Sequence, residues 1–136
     1  MSVVPLDRRD LAPVPRIDPA HALIAREQRD LLCAMAYVAL GVGDAEQAVT
    51  LLSLVLREMP DDTEVLRLLA YALVGAGSGG QALAALDRLA FLEPGPVPAP
   101  LVLLRSQALR LTGRLDQGRE MFRNFVALRR GEDSGS

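Results

Sequence analysis

The stretch GDAEQAVTLLSLVLREMP, from Gly43 to Pro60, returns as GSGGQALAALDRLAFLEP, from Gly77 to Pro94, with Gly, Ala and Pro all recurring at an offset of 34 residues. A chain that repeats itself at this interval builds one supersecondary unit several times and buries the apolar face of each copy against the next. Apolar residues fall at spacings of three and four, the period of a helix. The pattern predicts helices over about 20–41, 45–58, 62–75, 79–92, 99–111 and 115–130, interrupted by GVGD, MPDD, GAGSGG, EPGPVP and TGR.

Each recurring residue has a physical task. Gly43 and Gly77 lie in the turn between two helices, Ala48 and Ala82 let the second helix approach the first, and Pro60 and Pro94 end it. A third unit carries Gly113, Gly118 in the small-residue position and Phe122 in the large apolar one. Its Gly113 comes 36 residues after Gly77, which places a two-residue insertion in the GPVP linker. Six helices of two alternating kinds resemble the tetratricopeptide repeat, with most of its aromatic positions taken by Leu, Met and Ala. The resemblance implies an all-α fold of three tetratricopeptide-like helix hairpins, at about 29–62, 63–96 and 99–130, stacked as a short right-handed solenoid with a concave groove. An extended arm over 1–19, set by Pro5, Pro13, Pro15 and Pro19, is expected to precede this 20–130 domain, with Asp18 as the cap of the first helix. A flexible tail over 131–136 is expected to follow.

Half of the 136 residues are apolar, enough to bury a core without covalent help. Cys33 and His21 are the one Cys and the one His, too few for an internal disulfide, a Cys/His metal cage or a redox pair. Asp7, Arg8, Arg9 and Asp10 interrupt the start where a signal peptide needs apolar residues, and the longest apolar run, Leu31 to Leu40, is too short to span a bilayer. The expectation is a soluble cytoplasmic protein with no direct membrane insertion. Charge is uneven: residues 1–104 hold 8 Arg against 13 acids, a balance of -5, whereas 105–130 hold 7 Arg against 2 acids, a balance of +5. A solvated helix face is the simpler reading of that basic segment, a specific acidic partner the sharper one.

On the first helices of successive units, Leu32, Met35, Ala36 and Ala39, and equivalently Leu66, Leu69, Ala70 and Leu73, form a stripe toward the paired helix. The run LLCAMAYVAL is apolar on all sides, so a second stripe of Cys33, Tyr37 and Leu40 also needs cover. The second unit supplies Arg67, Tyr71 and Val74 at the matching positions, with Glu64 opposite Asp30, and the third supplies Leu103, Gln107 and Arg110. In repeats of this kind the second stripe lines the concave side. Tyr37 and Tyr71, one period apart, offer broad apolar area with a polar tip, which suits a groove that grips a helix or an extended peptide. The alternatives are that the arm or a second copy of the chain fills it.

Other chemistry finds little footing. GAGSGG, from Gly75 to Gly80, fits a phosphate-binding pattern by letter, but that pattern needs a strand in front of it, and EVLRLLAYALV reads as helix. His21 has no recognisable nucleophile or orienting group nearby, and Cys33 reads as a packing residue. Arg119, Arg123, Arg129 and Arg130 lack the interleaved aromatics of a nucleic-acid surface and have Glu120 among them. No catalysis, cofactor, metal or nucleic acid is expected.

The last unit, LLRSQALRLTGRLDQGREMFRNFVALR from Leu103 to Arg129, resembles the C-terminal repeat of the YscY-type chaperones of the bacterial type III secretion apparatus. The features that match are Arg105, Gln107, the run Leu111, Gly113, Leu115 and Asp116, then Arg119, Phe122, Phe125 and Leu128. Gln28 to Leu56 is similar in pattern to the first repeat of that family, and Gly118 stands where the family has Ala. The resemblance implies a cytoplasmic chaperone, a virulence-associated protein-transport factor that holds a YscX-type secreted protein as a heterodimer. With it, the resemblance implies an approach to the export gate at the inner membrane. A needle-subunit chaperone of the same system, and a self-associating repeat scaffold, are the competing expectations.

Overall fold

The computed structural model describes the backbone of residues 19–134 and the side chains of residues 25–131. Apart from Pro19, the expected arm lies outside the described residues, as do the expected cap Asp18 and the side chain of His21. Among the described residues six helices follow one another: α1 (Pro19–Gly41), α2 (Ala45–Glu58), α3 (Thr63–Gly75), α4 (Gly79–Leu92), α5 (Ala99–Leu111) and α6 (Leu115–Ser134). The chain divides into a unit ending at Leu31 and a second from Leu32 to Ser136. In the first, the described part of α1 carries an exposed ion pair of Arg29 with Asp30 at 2.9 Å. The second holds both apolar cores and the hairpins.

The repeated glycines close three equivalent turns. Gly43, Gly77 and Gly113 have φ of 82°, 79° and 82°, the left-handed region that side chains disfavour. Each turn makes the same two bonds back to its helix, the crossed pattern that satisfies carbonyls at a helix end. Asp44 N donates to Ala39 O at 2.8 Å and Gly43 N to Leu40 O at 3.1 Å; Ser78 N donates to Leu73 O and Arg114 N to Leu109 O in the same way. Two helices start on a carboxylate: at α2 Asp44 accepts from Gln47 N at 3.1 Å, and at α3 Asp62 accepts from Val65 N at 3.2 Å. The linker after α2 has four residues, 59–62, and the one after α4 has six, 93–98, so the insertion inferred from the 36-residue spacing sits there.

Each helix from α2 onward packs on the next, and α3 also touches α5, the matching helix of the following hairpin. That second contact turns consecutive hairpins into a stack. One core gathers Cys33, Ala36, Ala39, Ala48, Leu52 and Val65, and the other Ala70, Leu73, Ala82, Leu86, Leu104 and Ala108. Helix α3 serves both, with Val65 and Ala72 in the first and Ala70 and Leu73 in the second. The small-residue positions do what their size allows: Ala48 and Ala82 are fully buried. At Gly118 a Cβ would meet Arg110 Cγ at 2.7 Å and Ser106 O at 3.1 Å. There α6 lies so close to α5 that an alanine would force the Arg110 stem to shift, and Ser106 Oγ donates to Gly118 O at 2.7 Å inside the contact.

Two details differ from expectation. Met35, placed on the inward stripe, is 42% exposed, because α2 covers the side of α1 that carries Ala36 and Ala39 and leaves Met35 outside it. Helix α6 also runs to Ser134, past the tail boundary at 131, since Gly131 does not take the left-handed backbone that ends the earlier helices. Among the described residues no helix is long and apolar enough to cross a membrane.

Candidate functional site: a groove across three hairpins

The first helix of each hairpin contributes one wall segment to a groove of about 970 Å³. From α1 come Tyr37, Leu40 and Gly41; from α3 come Arg67, Leu68, Tyr71 and Val74; from α5 come Leu101, Leu103 and Gln107. These side chains meet because 3.6 residues per turn bring positions three and four apart onto one face, and the stack aligns the faces of α1, α3 and α5. Seven of the nine residues proposed from sequence therefore line one surface: Tyr37, Leu40, Arg67, Tyr71, Val74, Leu103 and Gln107.

Cys33 is not among them. It is buried in the chain's own first core beside Ala36 and Val65, one turn before Tyr37, on the border between the two stripes of α1. The stripe that needed outside cover is thus shorter than expected and begins at Tyr37. Arg110 is also elsewhere: its stem lies over Gly118, where the missing side chain of α6 leaves room, and it lines a separate cleft with Leu115, Arg119, Phe122 and Arg123.

The groove is apolar with a sparse polar margin. Tyr37 and Tyr71 are 62% and 61% exposed, so their rings stand at its rim and are not sealed by the fold. Arg67 reaches across to Glu93 with Nη1 2.9 Å from Oε1, an exposed pair. Similar exposed pairs join Asp61 with Arg88 and Asp87 with Arg105, each linking neighbouring segments at modest energetic value. Sequence reasoning did not select Leu68, Pro100, Leu101 and Leu104, which also line the groove. The signal was present: Glu64, Leu68, Tyr71 and Gly75, like Pro100, Leu104 and Gln107, follow the three-and-four spacing of the residues that were chosen.

The segment GAGSGG ends α3 and begins α4, so helix and not strand precedes it. Gly79 is the tight position, since a Cβ there would meet Ala108 O and Leu111 Cβ, both at 2.7 Å. The glycines of this segment thus serve the turn and the approach of α4 to α5.

Comparison with curated proteins gives no match. Residues 39–99, from the end of α1 to the first residue of α5, match the family described as tetratricopeptide repeat. Stacked hairpins of this kind present extended surfaces for protein interaction and scaffolding. Among the described residues the secondary structure is helical throughout, in stacked hairpins, and residues 39–99 are similar to the tetratricopeptide repeat.

Proposed function

We propose that the chain is a type III secretion chaperone, similar to the YscY-type proteins, that holds a YscX-type export component in the groove formed by α1, α3 and α5. The observation that carries this reading is the pair of half-exposed tyrosines, Tyr37 and Tyr71, standing one repeat apart over an apolar trough of about 970 Å³. A trough walled by three helices suits an amphipathic helix, whose apolar face removes Leu40, Leu68, Val74 and Leu103 from water. The mechanism is burial and needs no chemistry. The partner's apolar segment stays covered in the bacterial cytoplasm until export, and the heterodimer is delivered to the export gate at the inner membrane.

Co-expression with the YscX-type component, followed by pull-down and mass spectrometry, tests the reading. The pair Tyr37→Glu and Tyr71→Glu is expected to weaken binding by about a hundredfold or more, as loss of two aromatic anchors does. The helical circular dichroism signal is expected to survive, because both side chains are exposed. Recovery of a needle subunit in place of that component assigns the chain to the needle branch of the same system.

A self-associating scaffold is the second reading, and one observation favours it. Met35 and Val38 on the outer side of α1, and Val42 in the turn that follows it, are exposed by 42%, 67% and 76% at three-and-four spacing, an apolar edge on which a second copy could pair. Light scattering separates the two: a stable dimer indifferent to the export component supports the scaffold, and a monomer that becomes a heterodimer supports the chaperone.

A further inference from the structure

The cleft between α5 and α6, remote in composition from the groove, has a different character. Its volume is about 360 Å³ and its lining is Arg110, Leu115, Gly118, Arg119, Phe122 and Arg123. Leu115 and Phe122 are 51% and 47% exposed and form an apolar floor that the hairpin itself does not cover. Three guanidinium groups stand around that floor. Arg119 has Asp116 at 3.7 Å, a long contact in which Asp116 is fully solvated. Arg110 and Arg123 have no carboxylate within 4.0 Å among the described residues.

The arrangement is held by the backbone. Gly118 lets the stem of Arg110 lie against α6, where a Cβ would sit 2.7 Å from Arg110 Cγ, and the buried bond from Ser106 Oγ to Gly118 O fixes the two helices at that point. Arg110 therefore stands over the cleft at a smaller entropy cost than a free surface arginine.

We propose that this cleft docks a short acidic segment of a partner protein, with its carboxylates meeting Arg110 and Arg123 and an aliphatic side chain covering Leu115 and Phe122. Charge complementarity argues for that occupant: the segment 105–130 balances at +5 with a greasy centre, the inverse of an acidic-aliphatic peptide. Nucleic acid fits less well. Asp116 and Glu120 interrupt the cations along α6, and a cleft of this volume holds a few side chains instead of tracking a phosphate backbone. The site is independent of what fills the groove, so either can fail without the other.

The test uses the full chain and three fluorescent probes: a short peptide alternating Glu and Leu, the same peptide with Gln for Glu, and oligothymidylate. By anisotropy, the Glu–Leu peptide is expected to bind at low salt and to weaken as salt rises. Arg110→Gln with Arg123→Gln is expected to lower its affinity about tenfold, the combined scale of two exposed charge contacts. Both arginines are exposed, so the fold is expected to persist. Equal binding of the Glu and Gln peptides overturns the proposal, as does indifference to the arginine substitutions. Tighter binding of oligothymidylate than of the Glu–Leu peptide also overturns it, in favour of a nucleic-acid surface. Should the double variant fail to fold, the salt titration of the unsubstituted chain decides, since an affinity that does not fall with salt rejects charge recognition.

Discussion

The first and last hairpins share a turn and differ where their helices touch. Behind Gly43 the second helix meets its partner through Ala48, fully buried in a core that includes Leu52 and Val55. Behind Gly113 the matching position is Gly118, with a Ser106 hydroxyl and the Arg110 stem filling the space. Equal backbones thus support unequal surfaces. The first hairpin offers Tyr37 to an apolar groove, and the last offers Arg110, Arg119 and Arg123 around Phe122. At Gly118 the missing side chain is what leaves room for the Arg110 stem against α6, and Ala48 leaves no such room in the first hairpin.

The largest effect is expected where that comparison rests on packing alone. Leu52 is fully buried, and Leu52→Ala is expected to lower stability by about 2–5 kcal/mol in urea unfolding. Exchanging the two small residues sharpens the contrast. Ala48→Gly is expected to cost about 1–2 kcal/mol, through lost helix propensity and a lost buried methyl. Gly118→Ala gains propensity yet is expected to cost about 1 kcal/mol net, because its new methyl meets Arg110 Cγ and Ser106 O. Destabilisation by both swaps supports distinct helix approaches in the two hairpins; a stabilising Gly118→Ala breaks the comparison. The smallest effect belongs to the exposed Arg67–Glu93 pair, where Arg67→Gln is expected to change stability by less than about 1 kcal/mol.

Much of the fold was legible because glycine, proline and period carry local information. Gly43, Gly77 and Gly113 marked the turns without reference to tertiary contacts, whereas the caps Asp44 and Asp62 were not picked out. The groove was legible in its middle, at Tyr37 and Tyr71, where two repeats align in register. Its edges were not. Whether Cys33 falls in the core or in the groove depends on how α2 and α3 close around α1, a matter of tens of degrees that spacing does not fix. Arg110 left the groove because Gly118, on another helix, made room for it, and such a pairing is invisible to a reading taken one helix at a time. Gly131 marked no stop, since glycine ends a helix when it takes positive φ and continues it otherwise.

Site-specific photocrosslinking in a strain co-expressing the YscX-type component tests the central claim most directly, with the reactive group placed at Tyr71 in the groove or at the exposed Leu54 on α2, outside it. The account requires a crosslinked heterodimer from position 71 and none from position 54. Crosslinking from Leu54 with silence at Tyr71 would contradict it.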